Sequence, residues 1–220
     1  MIRAIIFDYN GTLLDDLPVA YGSVSEIFKR HNLSCPTLEQ YRQEIGTNFM
    51  EFYYNHGFPR TTTAKELNVI RMEYYLAHFD EAKLRPEAET VLSALNLLEI
   101  EFAIVSADVD SLVIKKLEEV GMKSFFNVIR AGVRDKRTVL LEVCKELGVE
   151  PHEACYIDDT VDGNTAAKEA GLHAIAVGTG YHSVERLSKV SQYVISNLYE
   201  LSAIVEAIDI EDELNGWGMS

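Results

Sequence analysis

Basic charge is what this sequence has least of. Its 220 residues hold 20 lysines and arginines against 35 aspartates and glutamates, a formal charge of −15. That balance argues against nucleic acid and anionic membrane surfaces as partners, because both are held by basic patches meeting phosphate. A small phosphate ligand would need its charge met locally. Cysteine is scarce as well, and Cys35, Cys144 and Cys155 stand far apart without metal-ligand spacing. They read as core residues of a reduced protein rather than a disulfide framework. No apolar run is long enough to cross a membrane, no signal peptide precedes the first strand-like run, and no low-complexity tract interrupts the chain. The expectation is a cytoplasmic globular protein with room for one sizeable core and a second small module.

Short apolar runs recur along the chain: "AIIFD" from residue 4, "EFAIVSAD" from 101, "NVIRAG" from 127, "ACYIDD" from 154, "HAIAVG" from 173 and "QYVIS" from 192. Each is too short for a core helix and reads as a buried strand. Between them "PEAETVLSALNLLE", "SLVIKKLEEVG", "RTVLLEVCKELGV" and "NTAAKEAG" carry apolar residues at helical spacing, several ending at a glycine that can cap a helix. Alternating strands and helices predict an α/β fold, a doubly wound parallel sheet that binds ligands at the carboxyl ends of its strands.

One segment breaks the rhythm. From about Pro18 to Lys83 only helical stretches appear, with aromatics gathered in "FMEFYYNHGF". This predicts a helical module over residues 17–83 inserted into a core made of residues 1–16 and 84–220. Asp15 and Asp16 read as caps of its first helix, ahead of Pro18 as a favourable early helical residue. The acidic tail "DIEDELNGWGMS", apolar-poor except for Trp217, is expected to be loosely ordered.

The polar residues that follow the strands then become comparable. Asp8 ends the first, Ser106 the second and Asp158-Asp159 the fourth, while Lys136 lies between the third and its helix. A parallel sheet brings all of these to one edge. A carboxylate nucleophile, further acids for a hard divalent cation, a hydroxyl and a lysine suit phosphoryl transfer through an aspartyl-phosphate. Magnesium takes oxygen ligands and keeps several waters, so Asp8 and Asp159 with a backbone carbonyl make a sufficient site. Gly11, in the turn dipeptide Asn10-Gly11, permits the close backbone approach a bound anion requires.

"FDYNGTLLDD", "AIVSAD", Lys136 opening "KRTVLLEVCKELGV", and "CYIDDTVDGNTAAKEAG" resemble, in order and spacing, the four motifs of the haloacid dehalogenase-like hydrolase superfamily. "VGTGYHSVERL" and "QYVISNLYEL" are similar to the C-terminal region of its phosphoglycolate phosphatase-like branch. The resemblance implies a Rossmann-like core with a helical cap inserted after the first motif. It implies Mg2+ as cofactor and a small phosphorylated metabolite as substrate. Asp8 would be the nucleophile, the Asn10 carbonyl and Asp159 metal ligands, and Asp158, with Asp162, their support. Ser106 and Lys136 would position the phosphate. Further substrate-side candidates are Gly11, Thr12 and Ala107 in the motifs, Thr47 in the module and Arg137 beside Lys136. His56 and Arg60 are candidate contacts to a substrate carboxylate.

The departure from the family pattern is Asn10. Phosphatases of this superfamily usually carry aspartate there, to protonate the leaving alkoxide and later activate water. Asparagine keeps the carbonyl and a hydrogen bond but trades no proton at neutral pH. The sequence therefore supports two readings: a phosphatase of phosphoglycolate-like monoesters, slow or selective for good leaving groups, or a weakened phosphate-binding or regulatory relative. A dehalogenase would not use the paired acids, and no lysine of the module is marked for Schiff-base chemistry. A receiver domain would not carry so large an insert.

Overall fold

A computed structural model describes residues 1–46 and 48–214. The first strand, β1 (Ala4–Phe7), is buried on both sides: Ile5 and Phe7 point to one face of the sheet, Ala4 and Ile6 to the other. The chain then makes β2 (Leu14–Asp15) and four helices, α1 (Leu17–Arg30), α2 (Leu38–Glu44), α3 (Phe49–Asn55) and α4 (Ala64–His78), before β3 (Lys83–Leu84). From there strand and helix alternate: α5 (Ala88–Asn96), β4 (Glu101–Val105), α6 (Asp110–Glu119), β5 (Val128–Arg130), α7 (Lys136–Leu147), β6 (Ala154–Asp158), α8 (Val161–Glu169), β7 (His173–Val177), α9 (Val184–Leu187), β8 (Tyr193–Ile195) and α10 (Leu201–Leu214).

Six strands form one parallel sheet in the order β5-β4-β1-β6-β7-β8. Helices cover both faces, as near-continuous apolar strands require. Val91 and Leu95 of α5, Val113 and Leu117 of α6, and Val205 and Ile208 of α10 pack with Ile5 and Phe7. Leu140 and Val143 of α7 and Ala167 of α8 pack with Ala4 and Ile6. From β1 the sheet grows first toward β4 and β5, then on the opposite side toward β6. Strand order therefore reverses around β1, and the crevice at such a reversal is where α/β sheets bind ligands.

The four helices after β2 have an aromatic core of their own. Phe28 lies at its centre, with the rings of Phe58, Tyr53 and Phe52 at centroid distances of 4.9, 5.7 and 6.1 Å. Capping boxes start two of these helices, Thr37 with Gln40 and Thr63 with Glu66, each satisfying two otherwise orphan amides.

Two expectations are corrected here. The sequence shows no strand between the first core strand and residue 101, yet β2 and β3 pair antiparallel where the chain leaves and re-enters the core, Leu14 opposite Leu84. Two residues per strand are too few to show a period. The acidic tail is not loose through residue 214: Asp209 lies within α10 and its carboxylate accepts the Ile2 amide. Apolar Leu201, Val205 and Ile208 at helical spacing hold that helix to the core. Trp217 and Thr47 lie outside the described residues. Cys144 and Cys155 are buried free thiols, as expected, and Cys35 is half-buried.

Candidate active site

Asp8 stands at the end of β1, its amide bonded to the Ile157 carbonyl of β6 at 2.8 Å. Lys136, first residue of α7, reaches its carboxylate at 2.8 Å and that of Asp158 at 2.6 Å. Asp135 accepts the Thr138 amide and so fixes the start of α7, which aims Lys136 inward. The ammonium also lies 5.5 Å from the Tyr156 ring. Residues more than a hundred positions apart thus converge at one sheet edge, as their places after strands predict.

Asp158 and Asp159 are both fully buried. One oxygen of Asp158 accepts the amide and hydroxyl of Thr160, at 2.7 and 2.6 Å, and the other accepts Lys136. Both of its oxygens are engaged, which suits support rather than direct ligation. Asp159 accepts the Tyr181 amide, with Thr12 Oγ1 3.4 Å from its other oxygen. Glycines make room for these acids: a Cβ at Gly11 or Gly180 would fall 2.2 or 2.0 Å from an Asp159 oxygen, and one at Gly163 would fall 1.9 Å from Asp158. Gly11 also adopts a φ of +74°, open to glycine without strain.

Oxygens of Asp8, Asp158 and Asp159 lie within 4.8 Å of one another. Three buried carboxylates face one ammonium, an excess of negative charge that a hard divalent cation would neutralise. Burial pushes the Asp8 carboxyl up to about 7, against the lowering pull of Lys136, with Asp158 raising it further. Burial and the neighbouring acids raise Asp159 well above the ordinary carboxylate range. The donor set fits magnesium.

Ser106 is buried one residue beyond β4, and its hydroxyl accepts the Asp108 amide at 3.1 Å. Ala107 lines the mouth of the site together with Asn10, while Arg137 is exposed along a groove that also borders Lys136. Asp162 is exposed in the first turn of α8. His56 and Arg60 are not brought to the acids: His56 sits 2.6 Å from Glu44, and Arg60 pairs with Glu51 and stacks on Tyr54.

Asp16 overturns its reading as a helix cap. It occupies the position before α1 but makes no capping hydrogen bond. Its carboxylate, wholly buried, accepts instead from the Asn10 amide at 2.8 Å, the Gly11 amide at 2.9 Å, and the hydroxyls of Tyr75 and Tyr181, each at 2.8 Å. Burial raises its pKa and these donors pull it back. Tyr75 comes from α4 and Tyr181 from the loop after β7, so one carboxylate ties the loop that follows Asp8 to both. Arg85 holds the loop from the other side, donating to the carbonyls of Gly11 and Thr12 at 2.7 and 2.8 Å. Sequence reasoning missed Tyr75, Tyr181 and Arg85. An arginine beside a proline at the module's exit, "LRPEA", was the one local hint.

The family model described as haloacid dehalogenase-like hydrolase matches residues 5–177. A Bacillus subtilis protein named as a phosphatase, YhcW, is 31% identical over 185 residues, covering 80% of this chain and 84% of its own. A Chromobacterium violaceum protein named phosphoglycolate phosphatase is 26% identical over 217 residues, covering 91% and 96%. Among solved structures, a haloacid dehalogenase-like protein from Agrobacterium tumefaciens superposes with a TM-score of 0.81 at 21% identity, covering 95% of this chain and all of that one.

Proposed function

The chain belongs to the haloacid dehalogenase-like hydrolase family, in its phosphoglycolate phosphatase-like branch, and from that premise we propose that it is a magnesium-dependent phosphatase of small phosphorylated metabolites. The observation that carries this reading is the convergence at the end of β1 of Lys136, bonded to Asp8 and Asp158, with Asp159, whose carboxylate lies within 4.8 Å of theirs. Residues 1–16 and 84–220 would form the core and 17–83 a cap that closes over the leaving group.

Asp8 attacks phosphorus in line; its oxygen forms the new P–O bond as the bond to the leaving oxygen breaks. Lys136 and Ser106 orient the phosphoryl oxygens, and Lys136 offsets their charge. Asp8, Asp159 and the Asn10 carbonyl would hold magnesium, with Asp158 in support. When bound, the ion supplies positive charge that lets two anions approach. Water then attacks phosphorus, releasing inorganic phosphate and restoring the Asp8 carboxylate. Asn10 positions the loop and carries no proton, so substrates whose leaving oxygen departs unprotonated are expected to react fastest.

Hydrolysis of phenyl or 4-nitrophenyl phosphate, with magnesium and with chelator, tests this. Turnover that needs magnesium and disappears in Asp8→Asn supports it. Binding of phosphate without turnover, with activity appearing only in Asn10→Asp, would favour the second reading, a weakened phosphate-binding relative, which the neutral residue at position 10 suggests.

A further inference from the structure

On helix α4, Leu67, Arg71 and Tyr75 follow one another at intervals of four and so share one face. Leu67 and Tyr75 are the two buried residues of that helix. Arg71 lies between them along that face and is itself exposed. Its guanidinium touches neutral groups, Asn68 Oδ1 at 3.3 Å and Met72 Sδ at 3.5 Å. Among the described residues no carboxylate pairs with it, whereas Arg60 on the same module is paired with Glu51.

Two hollows meet at this arginine. One, about 290 Å³, is the mouth of the acid site, bounded by Asn10, Asp16, Tyr75 and Ala107. The other, about 240 Å³, lies inside the helical module among Val24, Ile27, Tyr41, Phe49 and Tyr53. Arg71 and Tyr181 line both. The inner hollow is mostly apolar and aromatic with a single cation at its edge, the usual make-up of a small-molecule pocket. Tyr75, one helical turn or ~6 Å along α4 from Arg71, touches Asn10 at 3.0 Å.

We propose that Arg71 and this hollow select the leaving group: the substrate is the phosphate ester of a hydroxy acid whose apolar or aromatic body enters the module and whose carboxylate pairs with Arg71. The proposal rests on the phosphatase reading above and adds the substrate class. A planar guanidinium fork matches a carboxylate with two parallel hydrogen bonds. A two-carbon acid would bring the anion and leave the apolar walls bare.

The test compares kcat/KM for 4-carboxyphenyl phosphate with its neutral twin, 4-carbamoylphenyl phosphate, in the protein as it is, in Arg71→Met and in Arg71→Lys. A charge-assisted pair predicts a preference of about 10- to 100-fold for the carboxylate, falling below about 3-fold in Arg71→Met and partly recovered in Arg71→Lys. A second comparison sets 4-carboxybenzyl phosphate against 2-phosphoglycolate, both alkyl esters, with the larger expected to be at least about 10-fold better. Turnover without a carboxylate preference, or a preference that survives Arg71→Met, overturns the arginine's role and leaves the phosphatase reading standing. Better use of 2-phosphoglycolate overturns the role of the hollow. No turnover of any ester would sink the phosphatase reading and this one with it.

Discussion

The side-chain amide of Asn10 donates to the carboxylate of Asp16 across 2.8 Å, where Tyr75 and Tyr181 donate to the same oxygen. A neutral donor at position 10 suits a wholly buried acid at position 16. Asn10→Asp would set a half-buried carboxylate against the buried one of Asp16, and the pair would keep one proton to a raised pKa. A raised folded pKa means stability that is present at low pH and lost as pH rises through it. Urea denaturation should show the variant near the parent at about pH 5 and roughly 1 to 3 kcal/mol weaker at about pH 8. Adding Asp16→Asn should recover most of that loss; equal stability at both pH values would refute the coupling.

Among the described residues, Lys136 is the one ammonium bonded to the cluster of three buried carboxylates. Lys136→Met removes it and leaves Asp8 and Asp158 uncompensated, a change expected to cost about 3 to 5 kcal/mol in the presence of chelator. Magnesium should return part of that stability, so the melting-temperature rise on adding the metal should be larger in the variant than in the parent. A similar rise in both would mean that lysine and metal do not share the same charge.

The magnesium affinity should depend on pH in a set direction. With Asp8 pushed up to about 7 from its ordinary 3.8, the metal-free fold is favoured below the ordinary value and loses that contribution as pH rises through about 7. Metal binding displaces the proton, so apparent affinity measured by calorimetry should climb from about pH 6 to about pH 8, with proton release. Asp159→Asn should weaken it about 10- to 100-fold. A flat pH profile would contradict the raised carboxyl.

Gly180 approaches the Asp159 carboxylate so closely that a methyl group would meet it at 2.0 Å. Gly180→Ala should therefore turn Asp159 away from Asp8, raising the magnesium concentration needed for half-maximal activity at least about 10-fold while the far-ultraviolet circular dichroism spectrum stays unchanged. An unaltered magnesium requirement would show that Asp159 is not a ligand.

Much of the site was legible in the sequence because each of its parts follows a strand. Asp8, Ser106 and the Asp158-Asp159 pair are announced by apolar runs, and parallel topology alone collects such ends at one edge. What escaped is contact that only folding makes. Asp16 looks like a helix cap because it precedes Leu17-Pro18, yet its partners Tyr75 and Tyr181 are distant in the chain and carry no local mark. Arg71 was hidden for a different reason: it is exposed, and nothing local in the sequence tells an exposed arginine that borders two hollows from one in open solvent. His56 and Arg60, chosen for their charge, are instead matched by Glu44 and Glu51, 12 and 9 positions earlier in the chain, across a turn that only the fold closes.

The position of β1 also bears on how the chain reaches this fold. It pairs with β4 from Ala4 to Glu101 and with β6 from Ala4 to Ala154, so both its edges are closed by segments far downstream. During synthesis this wholly apolar strand leaves the ribosome long before either neighbour exists, with the helical segment of α1–α4 made in between. The sheet can assemble only by closing loops of that length, a slow topology that leaves a sticky strand waiting. The strand that leads into Asp8 is thus made ahead of both strands that flank it and cannot join the sheet until they arrive.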